Sequence, residues 1–161
     1  MSGSKAPLLR GRRFAYRLGR SPMNIKPKFL LVEDNPDDVL LAKEAVEISE
    51  LQLVLECVNT GEDCLERLTD ENTPLPDVVL LDLRMPGMSG FAVLEELSKH
   101  SRLSRLPVLV MSSSESPEDI RRAYDLGCKS YIPKPVNFGK FIDIMKSLHH
   151  YWLETVILAK P

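Results

Sequence analysis

Val78-Val79-Leu80-Leu81-Asp82 and Val108-Leu109-Val110-Met111-Ser112 decide the fold. Each is four apolar residues followed by one polar residue. Runs apolar on both faces of the pleat suit strands buried inside a parallel sheet and covered on both sides. Outward from these two, further β-rich runs lie at 29–32, 53–58 and 130–132. Helix-like stretches follow all five, at about 36–49, 62–68, 90–99, 117–126 and 138–153. Strand-then-helix, repeated five times, predicts an α/β fold: a five-stranded parallel sheet with helices on both faces. The punctuation agrees. Asn35 can cap the first helix with Pro36 at its first position, where a missing N–H costs nothing. Ser116-Pro117-Glu118-Asp119 repeats the device, with an acid at the third helical position, and Gly127 closes that helix.

The chain has 161 residues, about one domain. Hydrophobic residues at 43% and charged residues at 27% exclude a disordered or fibrous chain. The longest apolar run, 106–111, is interrupted by Pro107 and falls far short of the ~20 residues needed to cross a bilayer, so no membrane association is expected. Cys57, Cys64 and Cys128 show no C-x-x-C spacing, which predicts reduced thiols filling core gaps in a cytoplasmic protein. The net charge of −2 hides an asymmetry. Residues 1–22 hold six cations (Lys5, Arg10, Arg12, Arg13, Arg17 and Arg20) and no acid, which leaves fifteen Lys/Arg against twenty-three Asp/Glu, a net −8, over residues 23–161. Residues 1–23 read as a basic, disordered extension; the acidic remainder has no broad basic face for nucleic acid.

In a sheet of this kind ligands sit beyond the carboxyl ends of the strands. The first strand delivers Glu33-Asp34 there, the third Asp82 and the fourth Ser112, and Lys134 follows the fifth. Singly, each has an ordinary structural reading: a strand-end acid caps a helix, a lone lysine is solvated, and Ser112-Ser113-Ser114 is a loop. Jointly they make a site. Convergent carboxylates repel, and a hard divalent cation such as Mg²⁺ relieves them. Carboxylates, a cation, a lysine and a hydroxyl form a phosphoryl clamp, with Asp82 the candidate nucleophile that becomes an aspartyl phosphate.

These residues carry a resemblance. Leu80-Leu81-Asp82-Leu83-Arg84-Met85-Pro86-Gly87-Met88-Ser89-Gly90 resembles the phosphoacceptor segment of response-regulator receiver domains, which have the (βα)5, flavodoxin-like fold. Val32-Glu33-Asp34-Asn35 resembles their acidic metal pocket, Pro107-Val108-Leu109-Val110-Met111-Ser112 their switch strand, and Tyr131-Ile132-Pro133-Lys134-Pro135 their lysine motif. The resemblance implies a phosphoryl group on Asp82, delivered by a partner histidine kinase. It implies Mg²⁺ held by Asp34, Asp82 and the backbone carbonyl of Arg84, with Glu33 on metal-bound water. It also implies Lys134 on the phosphoryl group, a cis bond between Lys134 and Pro135, and a switch in which Ser112 moves toward the phosphoryl oxygen while Tyr131 turns inward. Arg84 and Ser114 stand where the family tunes phosphoryl lifetime.

The expected receiver spans 24–148, followed by an apolar arm over 149–161. Phe138, Phe141, Ile142, Met145, Leu148 and Trp152 form one helical stripe, with Leu153, Val156, Ile157 and Leu158 beyond it. More apolar surface than one helix uses suggests a homodimer through Phe141, Met145, Trp152, Leu153 and Val156; self-packing is the alternative. Tyr151-Trp152-Leu153-Glu154-Thr155-Val156 is also similar to the tails of small regulators associated with phytochrome histidine kinases. Two other functions compete: a receiver-like scaffold that works without phosphate, and an Mg²⁺-dependent aspartate-nucleophile phosphohydrolase. The latter usually carries a second acid two residues after the nucleophile, where this chain has Arg84.

Overall fold

The structure, a computed structural model, describes residues 26–159. The basic extension over residues 1–23 lies outside them. Five parallel strands, β1 (Lys28–Val32), β2 (Val54–Val58), β3 (Val78–Leu81), β4 (Val108–Ser112) and β5 (Ser130–Pro133), form one sheet in the order β2-β1-β3-β4-β5. The helices between and after them are α1 (Pro36–Ile48), α2 (Gly61–Thr69), α3 (Gly90–Ser98), α4 (Pro117–Asp125) and α5 (Phe138–His149).

The pleat sorts the apolar runs into two cores. Leu30, Val32, Val79, Leu81, Val108 and Val110 pack with residues of α2, α3 and α4. The intervening Phe29, Leu31, Val78, Leu80, Leu109 and Met111 pack with Ala42 and Ala45 of α1 and Phe141, Met145 and Leu148 of α5. Burying each such side chain stabilises the fold by about 1.5–3 kcal/mol. The cysteines are free, and burial pushes the Cys64 thiol up to about 12 and that of Cys128 up to about 11, as thiols that only fill space require.

From β1 the chain moves to β2 on one side, then crosses back to β3, β4 and β5 on the other. The strand order therefore reverses between β1 and β3, and a crevice opens at their carboxyl ends. Glu33 N donates to Val58 O at 3.1 Å and Asp82 N to Val32 O at 3.1 Å, which extends both ladders by one residue and sets the two acids side by side. Gly90 closes the floor: a Cβ there would lie 2.7 Å from Leu83 Cα and against the carbonyl oxygen of Asp82.

Three expectations change. Ser116 precedes α4 without a side-chain capping bond; its amide donates to Ser114 Oγ, and Asp119 turns its carboxylate to Ser114 and Arg84. The expected helix over 138–153 stops at His149 and continues as a π-helical turn, His150–Thr155, with Val156 N bonded to Tyr151 O at 3.0 Å. That turn adds a residue to the stripe, so Leu153 follows Leu148 into the core at 3% exposure, and Trp152 is only half-buried. Phe141 and Met145 are likewise buried in the chain's own core, so the stripe is used by self-packing at these three positions and not as an exposed arm.

Candidate functional site

Asp82, directly after β3, is 4% exposed, and Glu33, directly after β1, is 3% exposed. Carboxylate oxygens of Glu33, Asp34 and Asp82 lie within 4.8 Å of one another. Lys134, directly after β5, reaches into this group. Its Nζ lies 2.8 Å from Glu33 Oε2, 2.9 Å from Asp38 Oδ2 and 3.2 Å from Asp82 Oδ2, one carboxylate for each ammonium proton. The other oxygen of Asp82 accepts from Arg84 N at 3.2 Å, and Glu33 Oε1 accepts from Asn35 N at 3.1 Å.

The charges are coupled. Burial raises the Glu33 carboxyl above the ordinary range, with the neighbouring Asp82 adding to the rise, while Lys134 and the Asn35 amide oppose it. Burial alone would favour a neutral Lys134. Its hydrogen bonds to Glu33 and Asp38 and the charges of Asp82 and Glu33 outweigh this and raise its pKa above the ordinary lysine value. Three carboxylates around one ammonium, with Asp34 beside them, leave a negative excess in the crevice. Oxygen donors with such an excess fit a hard divalent cation, so the residues present suit Mg²⁺.

Asp38, in the first turn of α1, was missed by the sequence reading. Asp37 and Asp38 are adjacent, and no local signal says which faces the crevice; only the helix placement turns Asp38 toward Lys134. Beside the acids, a cavity of about 150 Å³ runs between α1 and α5, lined by Leu31, Leu41, Met111, Phe138 and Phe141.

The opposite rim is built on β4. Ser112 is fully buried, its Oγ accepts from Ser114 N at 3.2 Å, and no hydrogen bond joins it to Asp82 among the described residues. Ser114 O accepts from the Tyr131 hydroxyl at 2.7 Å, so the half-buried ring of β5 is tied to the loop after β4. Ser114 Oγ donates to Asp119 Oδ2 at 2.5 Å, and Arg84 Nη2 lies 3.4 Å from that same oxygen. Asp119 was also missed, having been read only as a helix-start acid. Lys134 and Pro135 are joined in trans, since no peptide bond among the described residues is cis. The two forms differ by only about 0.5–1 kcal/mol before a proline, and here Lys134 N bonds to Ser112 O at 2.8 Å in the trans arrangement.

The structure thus brings Glu33, Asp34, Asp82 and Lys134 together, keeps Ser112, Ser114 and Tyr131 on the adjoining rim, and buries Met145 and Leu153 in the core, with Phe141 reaching from that core to the cavity beside the acids. Comparison with known proteins agrees. Response regulator Rcp1 of Synechocystis sp. is 32% identical over 133 residues, which cover 80% of this chain and 90% of that protein. A solved structure of the phosphorylated cyanobacterial phytochrome response regulator RcpA superposes with a TM-score of 0.79 at 35% identity, covering 84% of this chain and all of that one. The Mn(2+)-bound form of response regulator Rcp1 gives 0.75 at 31% identity, covering 83% and 99%. Residues 29–146 match the family described as the response regulator receiver domain, and the chain belongs to that family of signalling proteins.

Proposed function

We propose that Asp82 accepts a phosphoryl group from a phosphohistidine of a partner histidine kinase and that the charge so gained is read out through Ser112, Ser114 and Tyr131. The observation that carries this is the setting of Asp82: a buried carboxylate with one oxygen on the Arg84 amide and the other on the Lys134 ammonium, beside two further acids. In the transfer a bond forms between an Asp82 oxygen and phosphorus, the donor's N–P bond breaks, and the leaving imidazole takes up a proton. Lys134 holds the phosphoryl oxygens; Glu33, Asp34, Asp82 and the Arg84 carbonyl would hold Mg²⁺. When bound, the metal supplies positive charge against the transferring oxygens. The Mn(2+)-bound form of Rcp1 supports a divalent ion in such a pocket.

A phosphoryl group adds about −1.5 to −2 charges and strong acceptor oxygens, enough to draw the Ser112 hydroxyl toward it. Because Ser112 Oγ accepts from Ser114 N, and Ser114 O from Tyr131, movement of one carries the others. The likeness to RcpA, a cyanobacterial phytochrome response regulator, makes a phytochrome-class kinase the proposed donor, and the exposed Tyr151 and Ile157 support a homodimer. Among the described residues no helix is long and apolar enough to cross a membrane.

The test is phosphate incorporation from acetyl phosphate, with and without Mg²⁺, into the wild type and Asp82→Asn. Mg²⁺-dependent, base-labile label lost in the variant is expected. No label from either acetyl phosphate or a phosphorylated phytochrome kinase would leave a scaffold, and continuous phosphate release at high turnover would make the protein a hydrolase.

A further inference from the structure

Asp119 joins two loops that meet nowhere else by side-chain hydrogen bonds among the described residues. Its Oδ2 accepts from Ser114 Oγ at 2.5 Å, on the loop after the switch strand, and lies 3.4 Å from Arg84 Nη2, on the loop after the phosphoacceptor. Ser114 is 7% exposed and fixed at three further points: its amide on Ser112 Oγ, its carbonyl on Tyr131 and its hydroxyl oxygen on Ser116 N. Arg84 is the exposed partner. Its side chain is 67% exposed, while its amide is pinned 3.2 Å from Asp82 Oδ1. The long guanidinium arm is therefore rooted beside the carboxylate that phosphorylation would modify, and its terminus is held by an acid on α4.

We propose that Asp119 is a positioning residue that sets the lifetime of the phosphoryl group on Asp82 by competing for Arg84. This rests on Asp82 being the phosphoacceptor. Hydrolysis puts a water oxygen on phosphorus and breaks the bond between phosphorus and the Asp82 oxygen. Asp82 returns as a carboxylate, and inorganic phosphate leaves as H₂PO₄⁻ with both water protons. A guanidinium lying on the phosphoryl oxygens stabilises the acyl phosphate and covers it from water. While Asp119 holds Arg84, that cover is withdrawn. The phosphoryl group and Asp119 thus draw on one cation, and the exchange is reciprocal: a partner that occupies Asp119 or shifts α4 releases Arg84 to the phosphoryl group and prolongs the signal.

The direction follows from strength. An exposed ion pair is weak, so the competition is close, and removing one competitor moves the balance about two- to fivefold. Asp119→Asn is the informative change, because its amide oxygen still accepts from Ser114 while the charge that holds Arg84 is gone. The four proteins wild type, Asp119→Asn, Arg84→Gln and the double variant are labelled with acetyl phosphate and Mg²⁺, freed of donor, and followed for loss of label, with urea unfolding of each as the check on folding. The expected result is a label that decays about two- to fivefold more slowly in Asp119→Asn, at unchanged unfolding midpoint. In the Arg84→Gln background, Asp119→Asn makes no difference. Equal or faster decay in Asp119→Asn, or the same slowing with Arg84→Gln present, overturns the proposal and leaves Asp82 as the acceptor. Absence of label on the wild type overturns both.

Discussion

Lys134 Nζ lies 3.2 Å from Asp82 Oδ2, with Glu33 Oε2 and Asp38 Oδ2 at 2.8 and 2.9 Å completing its donors. The residue that follows β5 thus supplies the counter-charge for acids that follow β1 and β3 and one that opens α1. Lys134 is less a surface lysine that happens to lie near a nucleophile than the cation around which the acids of the crevice are arranged.

Lys134→Met removes that cation. Glu33 and Asp82 would be left buried without a cation, which costs about 3–5 kcal/mol at neutral pH. The sign with pH is set by the acids. Burial already raises Glu33, and losing Lys134 raises it further, so protons bind the folded variant more readily than its unfolded chain. A raised carboxyl destabilises the fold above its folded pKa and ceases to do so below the unfolded value. Urea unfolding at pH 7 and near pH 5 should show the gap between wild type and Lys134→Met narrowing at the lower pH; an equal gap at both contradicts the reading.

Divalent cation binding should act on the same acids. Mg²⁺ held by the folded chain alone raises stability, by about 2.7 kcal/mol at one hundred times its dissociation constant. Wild-type unfolding midpoints should climb with Mg²⁺, and Asp34→Asn should flatten the climb, since its oxygen is one of the three that converge within 4.8 Å. A midpoint indifferent to Mg²⁺ in the wild type would remove the metal from the proposed site.

A second ion pair, remote from the crevice, titrates in the opposite sense. Arg67 Nε lies 2.5 Å from Glu56 Oε1, and the Arg67 side chain is only 12% exposed. The hydrogen bond from Arg67 holds the Glu56 carboxyl below its ordinary range. A lowered carboxyl stabilises above its unfolded pKa, and the contribution is lost as pH falls through the folded value. Glu56→Gln should therefore cost about 1–3 kcal/mol at pH 7, because a charged partner is left short of its acceptor, and the variant should lose less of its stability than the wild type between about pH 5 and pH 3.

What the sequence made legible follows from which signals are local. Val78-Val79-Leu80-Leu81 and Val108-Leu109-Val110-Met111 are buried by their own composition, so strands, order of elements and the acids at their ends could be read from the chain. Asp38 and Asp119 could not. Each lies in the first turn of a helix, where an acid is ordinary, and each gains its role from a partner 96 or 35 residues away. The tail misled for a related reason. A stripe counted at α-helical spacing puts Trp152 in the core, but the π-helical turn shifts the register by one residue and delivers Leu153.

That shift separates the two uses proposed for the tail. Leu153 is 3% exposed against the chain's own α1–α5 core, whereas Ile157 is 69% exposed. Leu153→Ala should lower stability by about 2–5 kcal/mol, the cost of a large-to-small change in a core. Ile157→Ser should leave stability within about 0.5 kcal/mol, as substitutions at the surface do, and, where the exposed end is the contact between two copies, it should shift sedimentation toward the monomer. Cutting the chain after His150 would confuse these effects, because Leu153 leaves with the exposed end and a weakened fold changes association by itself. The paired point variants keep them apart: a destabilised Leu153→Ala beside an Ile157→Ser of unchanged stability and unchanged mass would show that the tail serves its own core and forms no dimer contact at Ile157.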